Sequence, residues 1–281
     1  MSKKQTGIVE RGEKVYRVVH PNTPVDGTPA ENAYLVLDEV GNTAGQGRVI
    51  YQYLPHMDPD CPINLYFDMK CDLAGRYVLL GALLARARQL RDVNPQVHAR
   101  VYTMVHPEDT DSQAFYTSSG MTLEQRESLV SLQIPAAESR LPMGCQVFAV
   151  PMNTPEEKLS FLNRLNNNDI RHIDFVLLQQ FMRTSHFQLL GLTRENTVVS
   201  ELMMVGNGSS AELMAVYTYP TYRKQGLAKA LLHRSMVILQ SEGVSHFTAR
   251  VMTRSKPQMG LVNAFGAQEE EVISLFPDLM L

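Results

Sequence analysis

Residues 211–236 read AELMAVYTYPTYRKQGLAKALLHRSM, and the order of residue types in this stretch decides the fold. An apolar strand comes first, Pro220-Thr221-Tyr222 turns the chain, and Arg223-x-x-Gly226-x-Ala228 opens a long helix. A helix start presents backbone N–H groups without internal partners and a partial positive charge, which together make a place for phosphate. Gly226 and Ala228 leave room for a ligand to come close to the backbone, and Arg223 with Lys224 adds positive charge.

Outward from this stretch the chain alternates strands and helices. Toward the carboxyl end the pattern predicts a helix over 221–240, a strand over 246–253, a short helix over 257–265 and a strand over 271–276. Toward the amino end it predicts strands at 187–193, 198–205 and 211–219, the last two joined by Gly206-Asn207-Gly208, a hairpin signal. A helix over 169–184 precedes them, and before it a helix from Pro155 to about residue 166, with Thr154 as cap and Glu156 and Glu157 in its first turn. A strand at 145–151 begins this half. The segment 135–144, PAAESRLPMG, lacks apolar periodicity and is read as a linker, which gives two domains, 1–138 and 139–281. Two domains also suit the length of 281 residues.

The first half is expected to hold strands at 14–20, 33–38, 47–54 and 62–68, a helix over 73–93, a strand at 98–105, a short helix over 111–119 and a strand at 126–134. Ala99-Arg100-Val101-Tyr102-Thr103 answers Ala249-Arg250-Val251-Met252-Thr253 in the second half. Each follows a Leu/Ala/Arg-rich helix and precedes a short helix ending at Gly120 or Gly266. A duplication accounts for this economically.

Arg223-x-x-Gly226-x-Ala228, the strand before it, the long helix after it and the final strand and short helix ending in Asn263-Ala264-Phe265-Gly266-Ala267 together resemble the GNAT superfamily of N-acetyltransferases. The resemblance covers nearly all of 145–281. It implies an α/β (α+β) fold of two tandem GNAT-like domains, each a mixed, mostly antiparallel sheet flanked by helices, the first one degenerate. It also implies acetyl-CoA as acyl donor and a small-molecule or peptide amine as acceptor. By position Val216, Tyr217 and Thr218 would meet the pantetheine arm, and Arg223 with the amides of Lys224, Gln225, Gly226, Leu227 and Ala228 would hold the pyrophosphate. An N–H of the strand would face the acetyl oxygen as charge builds there. Glu212, at the spacing from the loop glycine found in the family's histone acetyltransferases, is the first choice for general base, and Glu201 on the preceding strand the second.

Two departures from the family pattern stand out. The tyrosine that many members place four residues before the closing glycine is Val262 here, while the first half has Tyr116 at that place. In the first half the glycine position of the loop is read as Leu79, with Gly81 answering Ala228, so that half is taken as structural or substrate-shaping. It also lacks the two helices found near the start of the second half. These departures keep a non-catalytic acyl-CoA-binding or scaffolding protein as the alternative.

Composition excludes other classes. A net charge of −3 and no long basic run argue against nucleic acid. Scattered histidines argue against a metal centre, and no uncharged apolar stretch approaches twenty residues. Three cysteines without a CxxC pair and a start lacking an apolar signal segment fit a reducing cytoplasm.

Overall fold

The computed structural model describes residues 15–55, 58–137, 140–168 and 173–281. They divide into two compact units. The first comprises 15–55, 60–103 and 279–281, and the second comprises 58–59 and 104–278 less the undescribed residues.

In the first unit the strands are β1 (Arg17–Val19), β2 (Ala33–Leu37), β3 (Thr43–Tyr53), β4 (Ile63–Cys71) and β5 (Ala99–Tyr102), lying side by side in that order. All neighbours are antiparallel except β4 and β5, which run parallel and are joined by α1 (Arg76–Asp92). Leu79, Leu80, Leu83 and Ala87 form the buried stripe of α1, at the helical spacing that the sequence shows. Only a single 3-10 turn, Ala30–Asn32, separates β1 from β2, so the two helices missing from the sequence of this half are missing from its structure.

The second unit carries the longer sheet. Its elements are α2 (Thr110–Ser118), β6 (Thr122–Leu132), β7 (Cys145–Ala149), α3 (Pro155–Asn166), α4 (Phe175–Phe181), β8 (His186–Arg194), β9 (Thr197–Asn207), β10 (Ser210–Thr218), α5 (Leu227–Ser241), β11 (His246–Met252), α6 (Lys256–Asn263) and β12 (Gln268–Met280). Across this sheet the order is β7-β8-β9-β10-β11-β6-β12. Thr154, the expected cap of α3, forms a capping box with Glu157, each accepting the other's backbone N–H. Residues alternate faces along the strands. On β9, Leu202 and Met204 join the core under α5, while Met203 and Val205 join a second core with Phe161, Leu165 and Leu178 of α3 and α4. Leu227, Leu231, Leu232, Met236 and Leu239 of α5 are fully or almost fully buried. At roughly 1.5–3 kcal/mol for each large side chain, this face fixes α5, and with it the position of its amino end.

Packing does not follow the halves of the sequence. The expected break at 138/139 falls outside the described residues, and α2 and β6, which precede it, belong to the second unit. There β6 lies between β11 and β12, antiparallel to both, with Val130 and Leu132 in the core under α5.

Several expected boundaries shift. The helix expected from residue 221 begins at Leu227, because residues 220–222 form a 3-10 turn and Arg223 is extended. The helix expected over 169–184 is described only as α4, capped by Asp174, with 169–172 outside the described residues. The last strand is twice as long as the pattern at 271–276 suggests, because polar Gln268 and Glu269 on one side and Asp278 on the other also pair with β6. Lys14, the expected start of the first strand, is outside the described residues.

Candidate active site

The site begins where β10 leaves β11. Ser210, Ala211, Glu212 and Leu213 pair in parallel with His246, Phe247, Thr248 and Ala249, and the pairing stops there. On its other side β10 stays paired with β9 as far as Thr218, with a bulge at Met214. A bulge bends its strand and increases the local twist, which is how β10 swings away from β11.

The register shows which backbone groups this leaves open. Tyr219 N–H donates to Val199 C=O at 3.0 Å, so in the antiparallel ladder Tyr217 bonds to its partner Glu201, while Val216 and Thr218 point their N–H groups the other way. Among the described residues, that edge has no partner strand beyond Leu213. Thr218 C=O accepts from Arg223 Nε at 3.1 Å, which ties the loop to the strand. Of the three strand residues singled out in the sequence, Val216 and Thr218 therefore offer their main chain to the open edge, and Tyr217 offers its main chain to β9.

The turn into α5 is the second part of the site. Lys224 has φ +60° and Gly226 φ +76°, both left-handed, and Gly226 is the residue at the helix cap. A lysine pays about 1 kcal/mol or more to sit there, a cost usually left to glycine. Among the described residues, the backbone N–H groups of Lys224, Gln225, Gly226, Leu227 and Ala228 donate to no protein acceptor. Residues 224–226 are exposed, and a Cβ built on Gly226 meets nothing within 4 Å, so the space over this backbone is open. No acidic residue lies in the first turn of α5. Positive charges gathered at the positive end of a helix repel one another, and the arrangement is stable once an anion lies among them. The residues present thus fit a diphosphate.

The first unit has the same plan with the cradle removed. Its β4–β5 pairing covers Ile63 to Tyr66 only, yet β4 runs on to Cys71. Structurally Gly75, at the cap of α1, answers Gly226, which corrects the placing of Leu79 at that position; Leu79 lies one turn further on, its side chain wholly buried in the core. Only Asp72, Leu73 and Ala74 separate β4 from Gly75, whereas 219–225 make the same passage in the second unit. The Gly75 N–H is used within this short turn, donating to Asp72 C=O, and Gly75 has ordinary right-handed angles. A Cβ there would lie 2.9 Å from Cys71 Sγ. The phosphate turn is lost by shortening.

The two candidate bases differ sharply. Glu201 faces α3, and its side chain is fully buried. Arg164 of α3 grips both its oxygens, at 2.9 and 2.8 Å, and the Tyr217 hydroxyl donates to it as well. Burial and then its bond to Glu201 push the Tyr217 phenol well above its ordinary range, so it stays protonated; Arg164 is raised by its own bond to Glu201. Tyr219 packs edge-on against Tyr217, with ring centroids 5.5 Å apart. Glu212 lies on the last paired step of β10 before Leu213. Arg250 Nε stands 3.0 Å from its Oε1, yet among the described residues that oxygen accepts no hydrogen bond. In the first half Arg100, the repeat of Arg250, bonds through Nε to Asn64 Oδ1 at 2.7 Å, so its partner is an amide from the residue directly opposite, whereas Glu212 lies opposite Thr248.

Val262 is buried in the core under α5 and offers no proton to the open edge, while Tyr116 is buried on α2 beside Phe115. Arg194 at the end of β8 was missed in the sequence. Its Nη1 donates to Gln225 Oε1 at 2.8 Å, a contact made only by the folding of the sheet.

Residues 160–267 match the model of the acetyltransferase (GNAT) family. No curated protein matches the chain. Among solved structures, a conserved protein of unknown function from Enterococcus faecalis V583, described as a probable N-acyltransferase, superposes with a TM-score of 0.51 at 11% identity, over 88% of this chain and 61% of that one. A GCN5-related N-acetyltransferase from Sphaerobacter thermophilus gives 0.48 at 13% identity, over 91% and 82%. A tandem GNAT protein from the clavulanic acid biosynthesis pathway gives 0.44 at 14% identity, over 92% and 90%. At these identities the likeness concerns the fold.

Proposed function

We propose, from the premise that the carboxy-terminal half of this chain carries a GNAT acetyltransferase domain, that the protein transfers an acetyl group from coenzyme A to a primary amine of a small molecule or peptide. The observation that carries this reading is the juxtaposition of an open, unpartnered turn at 224–228 with a strand edge unpaired beyond Leu213.

When bound, acetyl-CoA would supply the thioester whose acyl carbon the amine attacks. The amides of Lys224, Gln225, Gly226, Leu227 and Ala228 would hold its diphosphate, with Lys224 and Arg223 lending charge. Thr218 N–H and the Val216 main chain would pair with the pantetheine amides as a further strand would. Val216 N–H, fixed in direction by the sheet, would stabilise negative charge on the acetyl oxygen, which is where such a donor contributes most.

An amine attacks only when neutral, so its proton must leave. Glu212 is the base in this reading, directly or through one water, since its Oε1 has a lone pair without a donor among the described residues. Glu201 has its lone pairs committed to Arg164 and Tyr217, and serves as an anchor that holds α3 against β9 and β10. With Val262 in the tyrosine place, the departing thiolate takes its proton from elsewhere. The three cysteines are free thiols, and no described helix is long and apolar enough to cross a membrane, which supports a cytoplasmic location.

Thiol release from acetyl-CoA, measured against a panel of amines, tests the reading. Amine-dependent release is expected, and Gly226→Glu should abolish both release and coenzyme binding by placing bulk and negative charge over the turn. Coenzyme binding without release for any amine would favour a non-catalytic acyl-CoA-binding protein.

A further inference from the structure

We infer that Arg194, which lies outside the signature, is a fourth element of the phosphate site and binds a phosphate of the coenzyme directly. The inference rests on the placing of the diphosphate at the turn before α5.

Arg194 is the last residue of β8, and its backbone is held on both sides, by Cys145 of β7 and by Thr197 of β9. Alternation puts it on the sheet face of Gln188, Leu190 and Leu192. The two leucines lie in the core under α5, and Gln188 meets Ser235 of that helix. Its side chain, half-buried, therefore emerges beside the amino end of α5 and reaches Gln225. The chain after it turns at once through Glu195 and Asn196, both left-handed, so the strand end is a tight hairpin.

The choice of residue needs a reason. A guanidinium at the positive end of a helix is misplaced electrostatically, and here its protein partner on the turn is the neutral amide of Gln225. With Arg223 and Lys224 it makes three cations around backbone N–H groups that have no acceptor. An anion resolves all of this at once, and the planar guanidinium is suited to bidentate contact with phosphate. Gln225 then acts as the resting partner from which Arg194 moves to the ligand.

Binding of coenzyme A and of 3′-dephospho-coenzyme A to the full-length protein, measured by calorimetry over a range of salt, tests the inference. Arg194→Gln should weaken coenzyme A about tenfold and flatten the salt dependence. A loss at least as large is expected when Arg194→Gln is added to Gln225→Ala, because Arg194 then has no bond to Gln225 to break before it meets the ligand. An equal loss for both coenzymes would place the contact at the diphosphate, and a loss confined to coenzyme A at the 3′-phosphate. Unchanged affinity in Arg194→Gln, or a loss that vanishes in the Gln225→Ala background, would overturn the inference. If Gly226→Glu also left affinity intact, the placing of the diphosphate itself would fall; if it abolished binding, only the role of Arg194 would.

Discussion

At the residue scale, two glutamates that look alike in sequence are separated by their neighbours. Both lie on adjacent strands of the second unit, but three donors occupy Glu201 and Glu212 Oε1 has none. Glu212→Gln should leave coenzyme binding unchanged and slow transfer by about a hundredfold, a usual worth for general base catalysis. The deficit should be greatest at low pH, where few acceptor amines are neutral without help, and should shrink as pH rises toward the amine's own range. A rate profile that is lowered by the same factor at every pH would deny Glu212 the role. The spacing to Gly226 made Glu212 visible in the sequence. Arg194 was invisible there, because its contact with Gln225 joins residues 31 apart through strands that alternation alone does not register.

At the scale of elements, β10 has two edges with different duties, and proline separates them because it removes the N–H and keeps the C=O. Val216→Pro should fold, since the Val216 N–H takes no part in the sheet, yet transfer should fall by roughly 10²–10³ with loss of the donor to the acetyl oxygen. Tyr217→Pro should instead lower the melting temperature markedly, because it cuts a ladder bond to β9 and removes the hydroxyl that donates to buried Glu201. Equal stability of the two variants would show the register argument to be mistaken. The apolar periodicity made α1 and α5 legible, and the cap residues made α3 legible to the residue. The start of α5 was placed six residues early, because Pro220-Thr221-Tyr222 has the composition of a first helical turn while Lys224 and Gly226 take left-handed angles that periodicity does not record. The same blindness put Leu79 at the glycine position, since a shortened loop leaves no mark on the pattern of the helix behind it.

At the scale of the molecule, sequence halves and packing units part company at β6. Its place between β11 and β12 means that residues 140–281 alone lack one strand of their own sheet, together with Val130 and Leu132 from the core under α5. The missing burial and ladder bonds amount to at least about 5 kcal/mol, comparable with the whole stability of an ordinary domain. A fragment of 140–281 should therefore be insoluble or lack a cooperative thermal transition, whereas one that begins at 104 should keep both α2 and β6. A well-folded 140–281 would refute this account of the sheet. The boundary could not be placed from the linker composition, because two prolines and a glycine mark where the chain is exposed and say nothing of which side it packs on. The partners of β6 are also late arrivals: Arg126 bonds to Thr253 across 127 residues of chain. On the ribosome, β6 emerges with both edges bare and waits until β11 is made before its first neighbour exists. Nascent chains should therefore spend that interval dependent on chaperones, and this sheet should close only once β12 has emerged.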